Sequence, residues 1–234
     1  MRLQRALARA GIASRRRAED LIRGGGVKVN GQVATIGATV DPDRDVIVVR
    51  GRRVKPVATT WIALHKPVGY VVSRHDPRGR PTVFELVPEV AALTYVGRLD
   101  VMTSGLLLLT TDGIGAHRLT HPRYAVERTY RVLVHGRSGH EIRQRLERRI
   151  VIDGRAVQLV QVHVREQQEA VELTLGLAEG RYRIVRRLCE HLGLKVERLI
   201  RLSYGPVRLG RLARGKWRHL TQREREAVDA LRAA

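Results

Sequence analysis

Hydrophobic positions near the start of the chain recur at the spacing of a helix. Leu3, Leu7 and Ala10 share one helical face, which predicts a short helix that ends at Gly11. Ser14 can cap a second helix by accepting a hydrogen bond from its first turn. The positions of that second helix that we expect to face inward are Ala18, Leu21 and Ile22.

Residues 27–33 change to an alternating pattern, which is typical of strands. Asn30 and Gly31 interrupt the pattern with a residue pair that favours a tight hairpin turn. A further strand is predicted at residues 45–50. Two helices and a small sheet therefore make up a predicted domain over residues 1–54.

A predicted linker at residues 55–60 leads into a second domain over residues 61–234. Strands and helices follow one another there without a regular period. The predicted strands are at residues 61–65, 70–73, 106–111, 128–135, 156–164, 169–176 and 195–204. The predicted helices are at residues 114–120, 138–147, 182–192 and 222–232. Runs of strands with few intervening helices indicate an α+β fold, with a mixed, mostly antiparallel sheet flanked by helices.

The charge of the chain narrows the classes of partner. Its 44 Lys and Arg against 23 Asp and Glu give a net charge of +21, which is far more than solubility requires. Residues 1–60 carry 13 basic and five acidic groups, and residues 181–234 carry 15 and five, whereas the middle is nearly balanced. Such basic ends indicate binding to a polyanion. Because aromatic residues make up only 4% of the chain, charge rather than base stacking is expected to supply most of that binding.

The remaining composition argues against several other classes. There is no apolar run of 18 residues, so we expect no membrane attachment. Cys189 is the only cysteine, which excludes an intramolecular disulfide and a cysteine-based zinc site. We therefore expect a cytoplasmic protein and a monomer.

Three segments carry candidate catalytic side chains. Asp100 lies in a predicted turn before an apolar strand, where an aspartate is most often structural and accepts backbone hydrogen bonds. Tyr130 lies on the apolar face of an alternating strand, where packing in the core is the more common role. Arg186 lies at the edge of the buried stripe of a predicted helix, where an arginine needs a carboxylate partner. Taken singly, none of the three is specific.

Several fixed spacings in the N-terminal segment agree at once. They involve Arg2-Leu3-Gln4, Gly11 to Arg16, Ala18-Glu19, Leu21-Ile22 and Gly26 to Gly31. Together they resemble the small RNA-binding domain that is named after ribosomal protein S4, over about residues 1–54. The resemblance implies a set of phosphate contacts, which position RNA without reading its sequence. The residues so implied are Arg15, Arg16, Arg17 and Lys28.

A second resemblance covers nearly all of the remaining chain. The segments that carry it are Lys66 to Tyr70, Gly97 to Gly113, His121-Pro122, Arg128 to Tyr130, Glu179 to Arg187 and Leu199 to Gly205. In this order they resemble the pseudouridine synthases, specifically the ribosomal-RNA branch of the RsuA/RluB type, in which an S4-type domain precedes such a body. Tyr182 departs from the pattern, because the family commonly has Asn there.

The resemblance assigns roles to the candidate side chains. It implies that Asp100 is the essential aspartate and that Tyr130 is the active-site tyrosine. Arg186 is implied as the partner of the aspartate, with Arg187 left open in its place. Leu199 would support the tyrosine and the base. The further implied substrate contacts are Arg98, Lys66 and Arg187.

The implied reaction converts a uridine in ribosomal RNA to pseudouridine, with large-subunit RNA expected over small-subunit RNA. Uracil must leave the anomeric carbon, rotate and reattach through carbon 5, so a carboxylate is needed beside the ribose. Asp100 can act as the nucleophile or as the base that removes a sugar proton, and the sequence leaves both open. Arg186 would favour its ionised form. No cofactor is implied, because an isomerisation changes no oxidation state.

The remaining implied roles concern the base. Tyr130 can stack under the base and serve in the final proton removal from carbon 5. The nucleotide must be flipped out of its stack, and we expect Arg98 to fill the space that it leaves.

Two other functions fit parts of the sequence. His117 and His121 are spaced to share a helix face, as in a metal hydrolase, but no glutamate follows His117 and Pro122 ends the helix, so we predict no metal site. A non-enzymatic RNA-binding factor of ribosome assembly would need only the basic ends. It would not require Asp100 together with Tyr130, so an enzyme is favoured.

Overall fold

A computed structural model describes residues 1–42, 44–55 and 58–233, with side chains described as far as Leu231. Positions 56 and 57 of the predicted linker lie outside the described residues. The chain divides into two compact units. The first consists of Met1–Trp61, Glu89–Thr94 and Thr110–Gly113, and the second of Ile62–Pro88, Tyr95–Leu109 and Ile114–Ala234.

The first unit contains two helices and a four-stranded antiparallel sheet. Its helices are α1 (Leu3–Arg9) and α2 (Arg15–Arg23). Its strands are β1 (Val27–Val29), β2 (Gln32–Val33), β3 (Ile47–Val49) and β4 (Arg52–Arg53), in the order β2-β1-β3-β4. The buried side chains that form its core are Leu3, Ala6, Leu7, Ala18, Ile22, Val27, Ala34, Val40, Ile47 and Val49. The helices and strands predicted for this region are confirmed.

Two local signals in the first unit act as predicted. The Ser14 side chain caps α2 by accepting a hydrogen bond from the backbone nitrogen of Arg17 at 3.3 Å. Asn30 and Gly31 have φ angles of 50° and 85°, which a type I′ turn requires between β1 and β2. The Asn30 amide also donates to Asp45 at 2.9 Å and so ties the turn to a neighbouring loop.

The larger sheet of the described chain has nine strands, and a separate two-stranded hairpin lies outside it. The hairpin consists of β9 (Val151–Ile152) and β10 (Arg155–Ala156). The strands of the larger sheet are β5 (Trp61–Lys66), β6 (Thr94–Val96), β7 (Ser104–Thr110), β8 (Arg128–His135), β11 (Leu159–Glu166), β12 (Val171–Leu177), β13 (Lys195–Tyr204), β14 (Val207–Arg208) and β15 (Trp217–His219). Their order is β11-β12-β8-β13-β7-β5-β15, with β14 beside β13 and β6 beside β7.

The strand directions make this sheet mixed. Strand β13 pairs in parallel with β7 but antiparallel with β8 and β14. The pairs β11–β12, β12–β8 and β15–β5 are also antiparallel. The predicted mixed, mostly antiparallel sheet is therefore confirmed.

Helices flank the sheet and close its core. They are α3 (Gly113–Thr120), α4 (Gly139–Leu146), α5 (Ile184–His191) and α6 (Gln222–Ala233). Helix α5 buries Ile184, Val185 and Leu188, which is the stripe that the sequence predicts. These side chains join Val132 and Leu199 of the central strands in one hydrophobic cluster. The N-terminal end of α5 is thereby fixed beside β8 and β13.

Two predicted elements differ from the structure. Residues 70–73 do not form a strand, because Val71 makes only an isolated bridge with Thr82, and Gly69 before it turns the backbone with a φ of 91°. The helix predicted to begin at residue 182 begins instead at Ile184. Arg183 precedes it in a left-handed conformation, with φ at 50°.

Gly105 permits the parallel pairing of β7 with β13. It lies opposite Arg201 with φ at 110°, in a region that favours glycine. A Cβ atom at this position would lie 2.5 Å from the backbone nitrogen of Arg201 and would also collide with its carbonyl oxygen. Both neighbours are backbone atoms of a central strand, so they cannot move aside without breaking the sheet.

Gly105→Ala should therefore lower the free energy of unfolding by about 3 kcal/mol or more, because steric overlap adds to backbone strain. Gly113→Ala is the matched control, since a Cβ there would meet nothing within 4 Å. Urea unfolding followed by circular dichroism measures both variants. Equal stability of the two would contradict the proposed constraint.

Candidate active site

A cavity opens in the second unit where the Asp100 loop meets α5 and the central strands. It encloses about 660 Å³ of empty space, including the solvent at its open mouth. The residues that form its walls are 97–100, 103, 120, 128, 130, 180, 181, 183–186, 199, 201 and 204. The cavity therefore contains Asp100, Tyr130, Arg186, Leu199 and Arg98 of the predicted site.

Lys66 positions the loop that carries Asp100 by hydrogen bonds to its backbone. Its ammonium donates to the backbone oxygens of Pro67, Asp100, Val101 and Thr103 at 2.9, 3.1, 3.3 and 2.9 Å. The Lys66 side chain is 0% exposed and does not line the cavity. This geometry corrects the prediction that Lys66 contacts the substrate: its donors are used to position the loop.

Burial lowers the pKa of Lys66 to about 8, with Asp100 opposing the shift and the Arg201 charge adding to it. The side chain is therefore still mostly an ammonium at neutral pH. Its three N–H groups can then donate to the four backbone oxygens of Pro67, Asp100, Val101 and Thr103.

Two arginines face the carboxylate of Asp100. Arg183 Nη1 lies 3.5 Å and Arg186 Nε lies 3.8 Å from the same oxygen, Oδ2. Arg186 Nη2 also donates to the backbone oxygen of Met102 at 2.8 Å. Burial lowers the pKa of Arg186, and the neighbouring Arg183 charge lowers it further, while Asp100 acts in the opposite direction.

The sequence left open whether Arg186 or Arg187 pairs with Asp100, and the structure distinguishes the two. Arg187 forms an ion pair with Asp153 and does not line the cavity. The geometry therefore favours Arg186 as the partner of Asp100 and does not support the predicted substrate contact of Arg187. Arg183 was missed, because its approach to Asp100 depends on the left-handed turn before α5.

Tyr130 and Leu199 form the apolar part of the cavity. Tyr130 is half-buried on β8 and packs against the main hydrophobic cluster. Leu199, on the neighbouring strand β13, is buried. Tyr130 shares a face of β8 with Val132, as the alternating pattern predicts, and both Tyr130 and Leu199 line the cavity.

A buried group of two arginines and a tyrosine was also missed. The guanidinium groups of Arg128 and Arg201 both contact the ring of Tyr204, at 4.6 and 4.9 Å from its centroid. Arg128 donates to the Tyr204 hydroxyl at 2.8 Å, and Arg201 donates to the backbone oxygen of Leu106 at 2.7 Å. Both arginines line the cavity and are buried, so they add positive charge beside Asp100. Both strands carry other basic residues, so the sequence gives no signal that singles these two out.

The other predicted contacts lie at the surface. Arg98 is exposed and lines the cavity, which is consistent with a position at its mouth. In the first unit, the side chains of the predicted phosphate contacts are exposed; they are Arg15, Arg16, Arg17 and Lys28. His121 accepts a hydrogen bond from the backbone nitrogen of Arg123 and stacks near His117, which is a structural role.

Two features of the described residues bear on the other functional classes. Within residues 1–42, 44–55 and 58–233, no three His, Cys, Asp or Glu side chains are grouped so that they could hold a metal ion. In the same part of the chain, every helix is too short or too polar to cross a membrane.

Comparison with known proteins agrees with this geometry. Residues 60–191 match the family described as RNA pseudouridylate synthase, and residues 1–46 match the S4 domain. An uncharacterized RNA pseudouridine synthase of Aquifex aeolicus is 40% identical, over 96% of this chain and 92% of that protein. The ribosomal large subunit pseudouridine synthase B of Bacillus subtilis is 39% identical, over 98% of this chain and 96% of that protein.

A solved structure gives the same result. The crystal structure of a pseudouridylate synthase has a TM-score of 0.63 and 31% identity, and the match covers 97% of this chain and 99% of that one. The order of the sheet, the carboxylate in its cavity and the matching relatives lead to one assignment. This chain belongs to the RNA pseudouridylate synthase family and carries an N-terminal S4 domain.

Proposed function

We propose that this enzyme isomerises a uridine of large-subunit ribosomal RNA, with Asp100 as its essential carboxylate. The observation that carries the proposal is a single carboxylate, partly exposed in an open cavity and faced by Arg183 and Arg186. The choice of large-subunit RNA rests on relatives named ribosomal large subunit pseudouridine synthase B.

The reaction breaks the bond between C1′ of the ribose and N1 of uracil and forms a bond between C1′ and C5. The hydrogen on C5 is lost and N1 gains one, so no second substrate and no redox cofactor is consumed. Asp100 acts on the ribose either as the nucleophile or as the base that removes a sugar proton. Both roles require an ionised carboxylate whose oxygens can reach the sugar.

The arrangement of the two arginines around Asp100 suits both roles. At 3.5 and 3.8 Å their charges attract the carboxylate without forming short hydrogen bonds to it. Its oxygens therefore stay available to the ribose. Arg183 and Arg186 also fix the loop relative to α5.

The remaining walls suit a flipped uracil. Tyr130 offers an aromatic face for stacking and a hydroxyl that can take part in the final proton removal from C5. Leu199 closes the apolar side of the base. Arg98, at the mouth, occupies the gap that the flipped nucleotide leaves in the RNA.

The N-terminal domain holds the RNA in this proposal. Residues 1–54 bind its phosphates through their exposed basic side chains, a linker at 55–60 follows, and residues 61–234 perform the reaction on it. We further propose that the protein acts as a monomer in the cytoplasm, where ribosomal RNA is available to it.

Replacement of the carboxylate provides the first test. Asp100→Asn should lower pseudouridine formation by on the order of 10³-fold or more, while RNA affinity stays within about twofold, because the side chain keeps its shape and the basic surface that holds the RNA is unchanged. Asp153→Asn is the matched control, since that carboxylate also pairs with an arginine of α5 but lies outside the cavity. Modification retained by Asp100→Asn would refute the assignment.

The role of Arg98 is tested on structured RNA. Arg98→Ala should lower kcat/KM by about tenfold or more on a folded hairpin and less on an unstructured oligonucleotide, where no stack has to be refilled. Arg155→Ala removes an exposed arginine of the same unit outside the cavity and should change neither value. Unchanged turnover of the hairpin by Arg98→Ala would remove this role.

The proposed phosphate contacts are tested by the salt dependence of binding. Replacement of Arg15, Arg16 and Arg17 by Gln should weaken RNA binding and reduce the slope of log K against log salt by roughly two to three. The control triple has the same charge change on exposed arginines of the second unit; it consists of Arg145→Gln, Arg148→Gln and Arg149→Gln. Filter binding at several salt concentrations measures both. Equal slopes for the two triples would argue against the N-terminal site.

A further inference from the structure

Tyr182 is exposed to an unusual degree beside the cavity. It is 71% exposed, whereas the chain has nine aromatic residues and the next most exposed, Trp217, reaches 37%. Its chain neighbours Arg181 and Arg183 both line the cavity. A large aromatic ring left in water at the edge of a binding site is typical of a surface that is covered by a ligand.

The backbone that carries Tyr182 is firmly anchored on both sides. Arg181 donates to the backbone oxygen of Ile152 at 2.6 Å and forms an ion pair with Glu179. Arg183 lies in the left-handed turn before α5 and faces Asp100 at 3.5 Å. Tyr182 therefore projects from a fixed turn, and its ring would lose little conformational freedom on binding.

A second apolar side chain is exposed next to the cavity. Met102 is 63% exposed and lies in the turn that follows Asp100. Its backbone oxygen accepts the hydrogen bond from Arg186 at 2.8 Å, so this turn is also fixed. The two arginines that face Asp100 are thus both linked to the exposed residues. Arg183 directly follows Tyr182 in the chain, and Arg186 donates to the backbone of Met102.

We propose that Tyr182 and Met102 form a rim that stacks on the two nucleobases next to the flipped uridine. A base offers an apolar face for an aromatic ring or a thioether, and such stacking does not depend on base identity. Arg98, which the proposed function places in the gap left by the flipped nucleotide, is exposed and lines the same cavity, so the bases on either side of that gap would pass its mouth. This inference rests on the proposed function and adds the neighbours of the target to the substrate that the enzyme recognises.

The rim adds base stacking to an RNA-binding mode for which the composition predicted mainly charge. Few aromatic residues are available to stack on RNA, but stacking at two positions beside the reacting nucleotide requires only one ring and one thioether. Positive charge would then hold the RNA over a wide surface, while the rim fixes which nucleotide faces Asp100.

A hairpin RNA that contains the uridine assigned by pseudouridine mapping provides the test. It is made intact and with an abasic site on the 5′ or the 3′ side of that uridine. Conversion of the intact hairpin by the wild-type enzyme tests the proposed function by itself. The variants Tyr182→Ala, Tyr182→Phe and Met102→Ala then test the rim, and Val160→Ala, which removes an exposed apolar side chain far from the cavity in sequence and outside its walls, is the control.

On the intact hairpin we expect Tyr182→Ala to lower kcat/KM about tenfold, mainly through KM, because one base loses its stacking partner. Tyr182→Phe and Val160→Ala should stay within about twofold of the wild type. An abasic site at one of the two neighbouring positions should lower the kcat/KM of the wild type about tenfold. The same site should not lower the kcat/KM of Tyr182→Ala any further. Met102→Ala should behave in the same way at the opposite neighbour.

Two results would overturn the rim while leaving the proposed function in place. One is an unchanged kcat/KM of Tyr182→Ala on the intact hairpin. The other is that the loss of kcat/KM caused by Tyr182→Ala and the loss caused by an abasic site multiply at each of the two neighbouring positions. Such independent effects would mean that the ring touches neither base.

Discussion

The placement of the active site depends on the buried ammonium of Lys66. Its three N–H groups donate to the backbone oxygens of Asp100, Val101 and Thr103 in the segment that carries the carboxylate, and also to that of Pro67; each oxygen left without a donor would cost about 1–3 kcal/mol. Burial of a charge is itself unfavourable and lowers the pKa of Lys66 to about 8. The ammonium persists at neutral pH because these oxygens and the Asp100 charge offset the lost hydration. The turn that presents Asp100 is thus built on strand β5.

The start of α5 depends on Asp100 in return. Arg183 and Arg186 lie at the N-terminal end of this helix, where the partial positive charge of the helix disfavours cations. The carboxylate that they face offsets this repulsion, so one contact both stabilises the fold and prepares the reaction. Removal of its charge would leave two guanidinium groups, together with buried Arg128 and Arg201, in a cavity that contains no other acidic side chain.

The sequence predicted the secondary structure well where a strand was long. Strands β8 and β13 have the predicted bounds, and in β8 the alternation over eight residues admits few other registers. The prediction failed where distant segments decide a local state. The role of Lys66 depends on a loop 34 residues away, and the approach of Arg183 to Asp100 depends on the left-handed turn before α5. Arginine and lysine are expected in water by default, so their burial is visible only once the chain is folded.

Two aspartates in the second unit show why ion-pair geometry separates structure from chemistry. Asp76 receives two hydrogen bonds from the guanidinium of Arg80, at 2.8 and 2.9 Å, and this pairing holds the pKa of Asp76 well below its usual range. Both of its oxygens are engaged, so it can only fix its loop. Asp100 instead faces two guanidinium groups beyond hydrogen-bond distance, through one oxygen, in an open cavity. Charge attraction persists at that range while the oxygens remain free, which is the condition that attack on a ribose, or removal of its proton, requires.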